Sequence, residues 1–276
     1  MKLSTTKAFV GVAIAIVCVW SLAPFLWQVL TSLKASEEIF RVPPEIFPDS
    51  WSIESYRKVL TGRAFGTYVL NSLWVGSWAT LICVSVASCA AYAMTRLTVK
   101  GTAFWQKFLL APSFLPPAVL AVPLYQLAHF CGITDKPIAL VLAYAALNLP
   151  FAIWMLAAFF KHLPKELEEA AMLDGLSRMG ILLRIILPVS LPALATTSIL
   201  VFIFCWNEFV LALTLMSRDA TRTVPVGIAM LSGASAYEIP WDQITAAVVM
   251  TTMPVVLLVL FFQRQIVSGL TAGAVK

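Results

Sequence analysis

The sequence predicts an all-α membrane protein with six transmembrane helices, and three observations carry that prediction. Hydrophobic residues make up 60% of the 276 residues and charged residues only 12%, against about 45–50% and about 25% in a soluble domain. Mean hydropathy is +0.88. Six uncharged runs, at 8–33, 64–95, 108–128, 137–160, 185–207 and 243–263, are each long enough to cross roughly 30 Å of hydrocarbon at about 1.5 Å per helical residue. A disordered chain, a collagen and a disulfide scaffold are excluded by the same composition. Apolar surface is abundant and the 5 Cys are thinly spread.

The first run follows Lys2 and Lys7. It is too long for a signal peptide and lacks a small-residue cleavage site at its far end, so it reads as a retained anchor. Residues 34–63 form an outer segment. Pro43, Pro44 and Pro48 exclude a continuous helix through its middle, whereas 52–60 suits a short surface helix flanked by the interfacial Trp51. Prolines recur inside the later runs: Pro112, Pro116, Pro117 and Pro123 in the third, Pro150 in the fourth, Pro192 in the fifth and Pro254 in the sixth. In a membrane helix they predict kinks, because neighbouring groups can satisfy the freed carbonyls.

Loop charge sets the expected orientation. With the N-terminus inside, 11 of the 19 basic residues and only 4 acids fall on the cytoplasmic side, while the 8 outer basic residues accompany 9 acids. The Lys/Arg bias predicts cytoplasmic N- and C-termini. The net charge of +5 is therefore read as topology, with no nucleic acid among the expected partners. Cys18, Cys83, Cys89, Cys131 and Cys205 contain no C-x-x-C, and His129 and His162 are far apart. No catalytic, cofactor-binding or metal-ligating set is expected.

The loop between the fourth and fifth runs is the most informative segment. It reads His162-Leu163-Pro164-Lys165-Glu166-Leu167-Glu168-Glu169-Ala170-Ala171-Met172-Leu173-Asp174-Gly175. Pro164 suits a first helical position, and Glu166, Glu168 and Glu169 suit the positive end of a helix dipole. Gly175 supplies the left-handed stop. Ser177 can cap a second helix running to Pro188. Leu167, Ala170, Ala171 and Asp174 form one face of the first helix, suited either to solvent or to a groove on another protein.

Glu169-Ala170-Ala171, Gly175, Ile185, Leu187 and Pro188 match E-A-A-x3-G-x9-I-x-L-P at every fixed position. This resembles the coupling signature of permease subunits of bacterial ATP-binding cassette (ABC) importers. Trp206-Asn207-Glu208-Phe209, the tail Gly269-Leu270-Thr271-Ala272-Gly273-Ala274-Val275-Lys276 and the 52–60 segment are similar to the carbohydrate class. Within that class the chain resembles the maltose and trehalose type, and the smaller, six-span subunit of its permease pair.

The resemblance implies a type I importer fold with an N-terminal anchor and outer loop at 1–63. A permease core follows at 64–263, with a coupling helix at 164–175, and a cytoplasmic tail at 264–276. It implies a bacterial inner-membrane location and four kinds of partner besides the lipid bilayer: two ATP-binding subunits, a second homologous permease subunit, an extracytoplasmic sugar-binding protein, and an oligosaccharide or glycoside substrate. By motif position Glu169, Ala170, Ala171, Asp174 and Gly175 would couple to the ATPase, and Gly269, Gly273 and Lys276 would contact it from the tail. ATP hydrolysis belongs to a partner. Gly175 and Gly180 have the spacing of a phosphate loop but are followed by Ile181 and Leu182, not Lys and Ser or Thr.

Polar groups inside spans are functional candidates. Glu208 is the only formal charge of the fifth span, just past its uncharged run and nearer the outside; Asn207 adjoins it, Asn148 is mid-span in the fourth run, and Asn71 lies near the outer end of the second. A carboxylate at 208 can accept sugar hydroxyls or bond a neighbouring helix and hold an outer gate, and the gate is the favoured reading. The asparagines suit helix–helix hydrogen bonds or the pathway. An ion-coupled sugar carrier is the alternative reading, with Glu208 as its slender support.

Overall fold

The structure, a computed structural model, describes residues 2–62, 64–97, 101–111, 115–231 and 239–272. All regular structure among them is helical. The chain forms two compact units, one of residues 1–65 and 228–253, the other of residues 66–227 and 254–276.

The first unit contains α1 (Lys2–Ser32), α2 (Glu54–Gly62) and the start of α13 (Trp241–Ala272). The most apolar stretch of α1 has no residue buried inside the protein, so its hydrophobicity is matched by lipid or by another chain. The predicted 52–60 helix is present as α2, two residues later, with Ser52 Oγ accepting the Glu54 N–H at 3.2 Å. Asp242 in the first turn of α13 is buried, and its Oδ2 accepts from Ser36 Oγ at 2.9 Å and Ser55 Oγ at 3.2 Å. One carboxylate thereby ties the irregular outer segment and α2 to the start of α13.

The second unit is built on α3 (Phe65–Arg96) and α6 (Pro137–His162), whose most apolar windows are 44% and 50% buried. Val75, Ala79, Cys83, Ala87 and Ala91 recur every fourth residue along one buried stripe of α3. Such small side chains let helix backbones approach closely, which is how membrane helices gain packing without a hydrophobic driving force. At Gly76 an added Cβ would lie 3.0 Å from the Phe202 ring; glycine there admits the aromatic ring.

Two expected spans are not single helices. The third run is divided between α4 (Thr102–Leu110) and the 14-residue α5 (Pro117–Phe130). Pro116 is extended and Pro117 opens α5, so the consecutive prolines start a new helix instead of kinking an old one. At about 1.5 Å per residue, α5 alone spans only about 21 Å.

The fifth run is approached through α8 (Arg178–Ile181), a π-turn at Leu182–Ile186 and α9 (Leu187–Val189), then bends by 81° into α10 (Leu191–Asn207). Pro188 and Pro192 each lack the N–H that a continuous helix would use. The π-turn carries the helix past Pro188, and the bend falls at Ser190. Among the described residues four helices are thus long and apolar enough to cross a membrane, or five with the bent pair. Two further helices, α11 (Val210–Leu215) and α12 (Val224–Ala229), follow α10.

Candidate functional site

The informative loop forms α7 (Glu166–Leu173) between α6 and α8. It is shorter than the expected 164–175 helix: Pro164 lies outside it, and Lys165 is the N-cap with an already helical backbone. Its end follows expectation. Gly175 has φ 80°, its N–H donates to Met172 O at 3.0 Å, and the Leu176 N–H donates to Ala171 O at 3.0 Å. This pair of bonds satisfies the last carbonyls of α7 and requires the left-handed residue between them. Ser177 Oγ then accepts the Gly180 N–H at 3.2 Å and starts α8.

The faces of α7 differ from the sequence-based pattern at one position. Ala171 is buried, so it does not share an outer face with Leu167, Ala170 and Asp174, which are exposed together with Glu169 and Gly175. Its inward companion is Glu168, three residues earlier and 5% exposed. Leu173 is 90% exposed. Leu167 and Met172 are exposed on the same helix, so α7 carries apolar as well as acidic surface.

Glu168 faces the end of α3. Its Oε1 lies 3.1 Å from Arg96 Nε as an ion pair without the alignment of a hydrogen bond, and both side chains are at most 6% exposed. Tyr92, one turn earlier on α3, donates its hydroxyl to Glu168 Oε2 at 3.3 Å. Arg96 Nη2 also donates to Phe160 O and, at 2.6 Å, to Leu163 O. These are carbonyls at the end of α6, where a helix leaves acceptors unpaired and favours a cation. Beside the pair is a recess of about 150 Å³ whose lining includes Lys165, Glu169, Met172 and Arg178.

A second polar group lies between α6 and α10. Glu208 ends α10 in an extended conformation, and its Oε1 accepts the Leu211 N–H at 2.9 Å while Oε2 accepts the Ala212 N–H at 3.1 Å. The carboxylate thus caps α11, where a negative charge is favoured. The Tyr144 hydroxyl donates to the same Oε2 at 2.7 Å. Asn148 donates through Nδ2 to Tyr144 O at 2.9 Å and lies 3.8 Å from Cys205 Sγ. Tyr144, Asn148 and Glu208 border a largely apolar groove of about 450 Å³, together with Phe151 and Phe204.

The other asparagines do not join that groove. Asn207 bonds Ile203 O of its own helix at 2.8 Å. Asn71 donates to Ala220 O and Arg222 O, both at 2.9 Å, and so holds the loop before α12. That loop is also held by Asp135, between α5 and α6. Its Oδ1 accepts from the N–H groups of Ser217 at 2.7 Å and Arg218 at 3.1 Å, and its Oδ2 accepts from Ser217 Oγ. Burial pushes the Asp135 carboxyl upward, but these bonds and the Arg218 charge outweigh it and hold it below the usual carboxylate range. Gly269 falls within α13, whereas Gly273 and Lys276 lie outside the described residues.

Arg96, Tyr92, Tyr144 and Asp135 were not among the candidates read from the sequence. From the sequence alone Glu168 is a dipole-favoured acid near the start of a helix. Its three-residue spacing to Ala171 puts both on one helical face, and the structure turns that face inward.

The fold is that of an integral membrane protein, with several apolar helices long enough to cross a membrane and the short α7 held to α3 and α6 through Arg96. The model of the binding-protein-dependent transport system inner membrane component family matches residues 84–271, and the chain belongs to that family. It is 42% identical to the trehalose/maltose transport system permease protein MalG of Thermococcus litoralis, covering 96% of this chain and 94% of that one. It is 37% identical to the trehalose transport system permease protein SugB of Mycobacterium tuberculosis, with 93% of each covered. A chain of a bacterial ABC transporter involved in importing the acidic polysaccharide alginate has the same fold, with a TM-score of 0.79, 19% identity and coverage of 95% and 96%.

Proposed function

We propose that this permease carries a small oligosaccharide or glycoside of the trehalose and maltose kind into the cell, as one half of a heterodimeric path. A second, related permease subunit supplies the other half. Two ATP-binding subunits drive it from the cytoplasm, and an extracytoplasmic binding protein delivers the sugar. The relatives support the substrate class. The alternative of an ion-gradient carrier finds no support in the family or in these relatives.

The observation that carries the reading is the two-faced α7. Glu168 and Ala171 anchor it inward, while Glu169, Ala170, Leu173, Asp174 and Gly175 are exposed on a helix with a fixed stop. A partner's groove can bind that outer face and push on it without unfolding it. In this topology α7, both termini and the 264–276 tail are cytoplasmic, and Gly269, Gly273 and Lys276 contact the ATPase. Residues 64–263 form the permease core.

Glu208 acts as part of an outer gate. Three donors from within the protein already occupy its carboxylate, which favours a structural role over sugar binding. Asn148 and the groove beside it belong to the path.

The test reconstitutes the chain with its partners in liposomes containing ATP and measures uptake of labelled trehalose and maltose. Uptake is expected only with ATP and the ATPase, and Glu169→Lys should abolish it while the spans stay folded. Uptake by this chain alone, driven by a proton or sodium gradient, would overturn the proposal.

A further inference from the structure

We infer that Arg96 and Glu168 are positioning residues that make α7, α3 and α6 move as one body, so that a force on α7 reaches the spans. This rests on the proposed coupling function and adds the element that transmits the motion.

Enclosing two ions is costly, and a well-packed apolar pair often holds an interior site as well or better. Stability alone is therefore a poor reason for an Arg–Glu contact at 3.1 Å with both side chains at most 6% exposed. What the guanidinium adds is direction, because it is planar and its donors are fixed in a fork. Nε faces Glu168 on α7, Nη2 is bonded to the carbonyls of Phe160 and Leu163 at the end of α6, and the side chain itself belongs to the last turn of α3. One side chain thus joins three elements.

If α7 shifted alone, the carboxylate would leave Arg96, or Arg96 would leave the two carbonyls. Either break leaves a polar group that is at most 6% exposed without its partner, which is costly. Moving α3 and α6 together with α7 preserves every bond. Tyr92 strengthens the same arrangement, since its hydroxyl reaches Glu168 from one turn higher on α3. Ala171, the other inward residue of α7, is small and apolar and offers no comparable resistance to sliding. Neighbouring carboxylates therefore have opposite tasks: Glu169 faces outward and Glu168 pins the helix.

The test uses the assembled complex in liposomes, with trehalose and maltose as probes. It measures ATPase co-purification, ATP hydrolysis and sugar taken up per ATP. The central variant is the double replacement Arg96→Met with Glu168→Leu, which swaps the ion pair for an apolar one. Wild-type yield and continued hydrolysis are expected, with uptake per ATP lowered at least tenfold. A wild-type ratio would show that the pair merely packs, and would overturn the inference.

Arg96→Lys gives an independent reading should the double variant fail to assemble. A lysine keeps the charge but lacks the fork that serves the carboxylate and both carbonyls at once. Its uptake per ATP should fall at normal assembly, and a wild-type ratio in this variant would equally refute the inference. Failure of the underlying function is distinguishable, since then the wild-type complex itself would show no ATP-dependent uptake.

Discussion

Glu168 and Asp135 are both carboxylates that tie separate parts of the second unit together, but they do so in opposite environments. Glu168 is enclosed with Arg96, Tyr92 and the end of α6, and has few partners. Asp135 is partly open to water, accepts from the backbone and side chains of the loop after α11, and faces an Arg218 whose side chain is 66% exposed. Water can replace a lost bond at Asp135 more readily than at the Glu168 pair, whose side chains are at most 6% exposed. The difference teaches that the α7 end is stiff and intolerant, while the Asp135 loop is held firmly but exchangeably.

The comparison would be broken most directly at Arg96. Arg96→Met leaves the Glu168 charge buried without its cation, and a loss of roughly 3–5 kcal/mol of stability is expected. Thermal unfolding of the purified chain in detergent measures it. A loss no larger than that of Asp135→Ala would remove the contrast between the two sites.

Asp135→Ala should cost less, about 1–2 kcal/mol, because the freed N–H groups can turn to water. This site also carries a pH signature. Against the upward push of burial, the Asp135 carboxyl is held below the ordinary carboxylate range in the folded protein by its bonds to Ser217 and Arg218. Its stabilising contribution is therefore complete above the unfolded value and is lost as pH falls through the folded one. Unfolding midpoints measured from pH 5 down to pH 3 should converge for wild type and Asp135→Asn. Curves that stay parallel would show that the carboxylate charge contributes nothing there.

The smallest expected effect is at Glu208. Glu208→Gln keeps the shape and one acceptor oxygen but sets an NH2 against at least one of the three donors, so stability should fall by about 1 kcal/mol. Its functional effect should be the more visible one: ATPase activity without binding protein should rise, because a weaker junction between α10, α11 and Tyr144 lowers the barrier to opening. Unchanged basal ATPase with an altered preference between trehalose and maltose would move Glu208 from the gate into the substrate path.

The local features of this protein were legible from residue order. Uncharged run length located α1, α3, α6 and α13 as spans, since crossing hydrocarbon depends on length and polarity alone. Gly175 and Ser177 announced the end of α7 and the start of α8, because capping is decided within a few residues. Pro116 and Pro117 were visible too, but whether prolines kink a helix or separate two depends on what the neighbouring chain can satisfy, and here they opened α5.

Only the tertiary structure decided which polar groups meet. Helical periodicity sets Glu168 and Glu169 about 100° apart around the axis, yet nothing within that turn says which of the two carboxylates turns inward. That choice depends on Tyr92, 76 residues away, and on Arg96 beside it. The same holds for Glu208, whose charge is conspicuous in the sequence but whose partner, the Tyr144 hydroxyl, lies on another helix. Caps and spans are fixed by near neighbours, whereas burying a charge requires a partner, and packing selects that partner from distant parts of the chain.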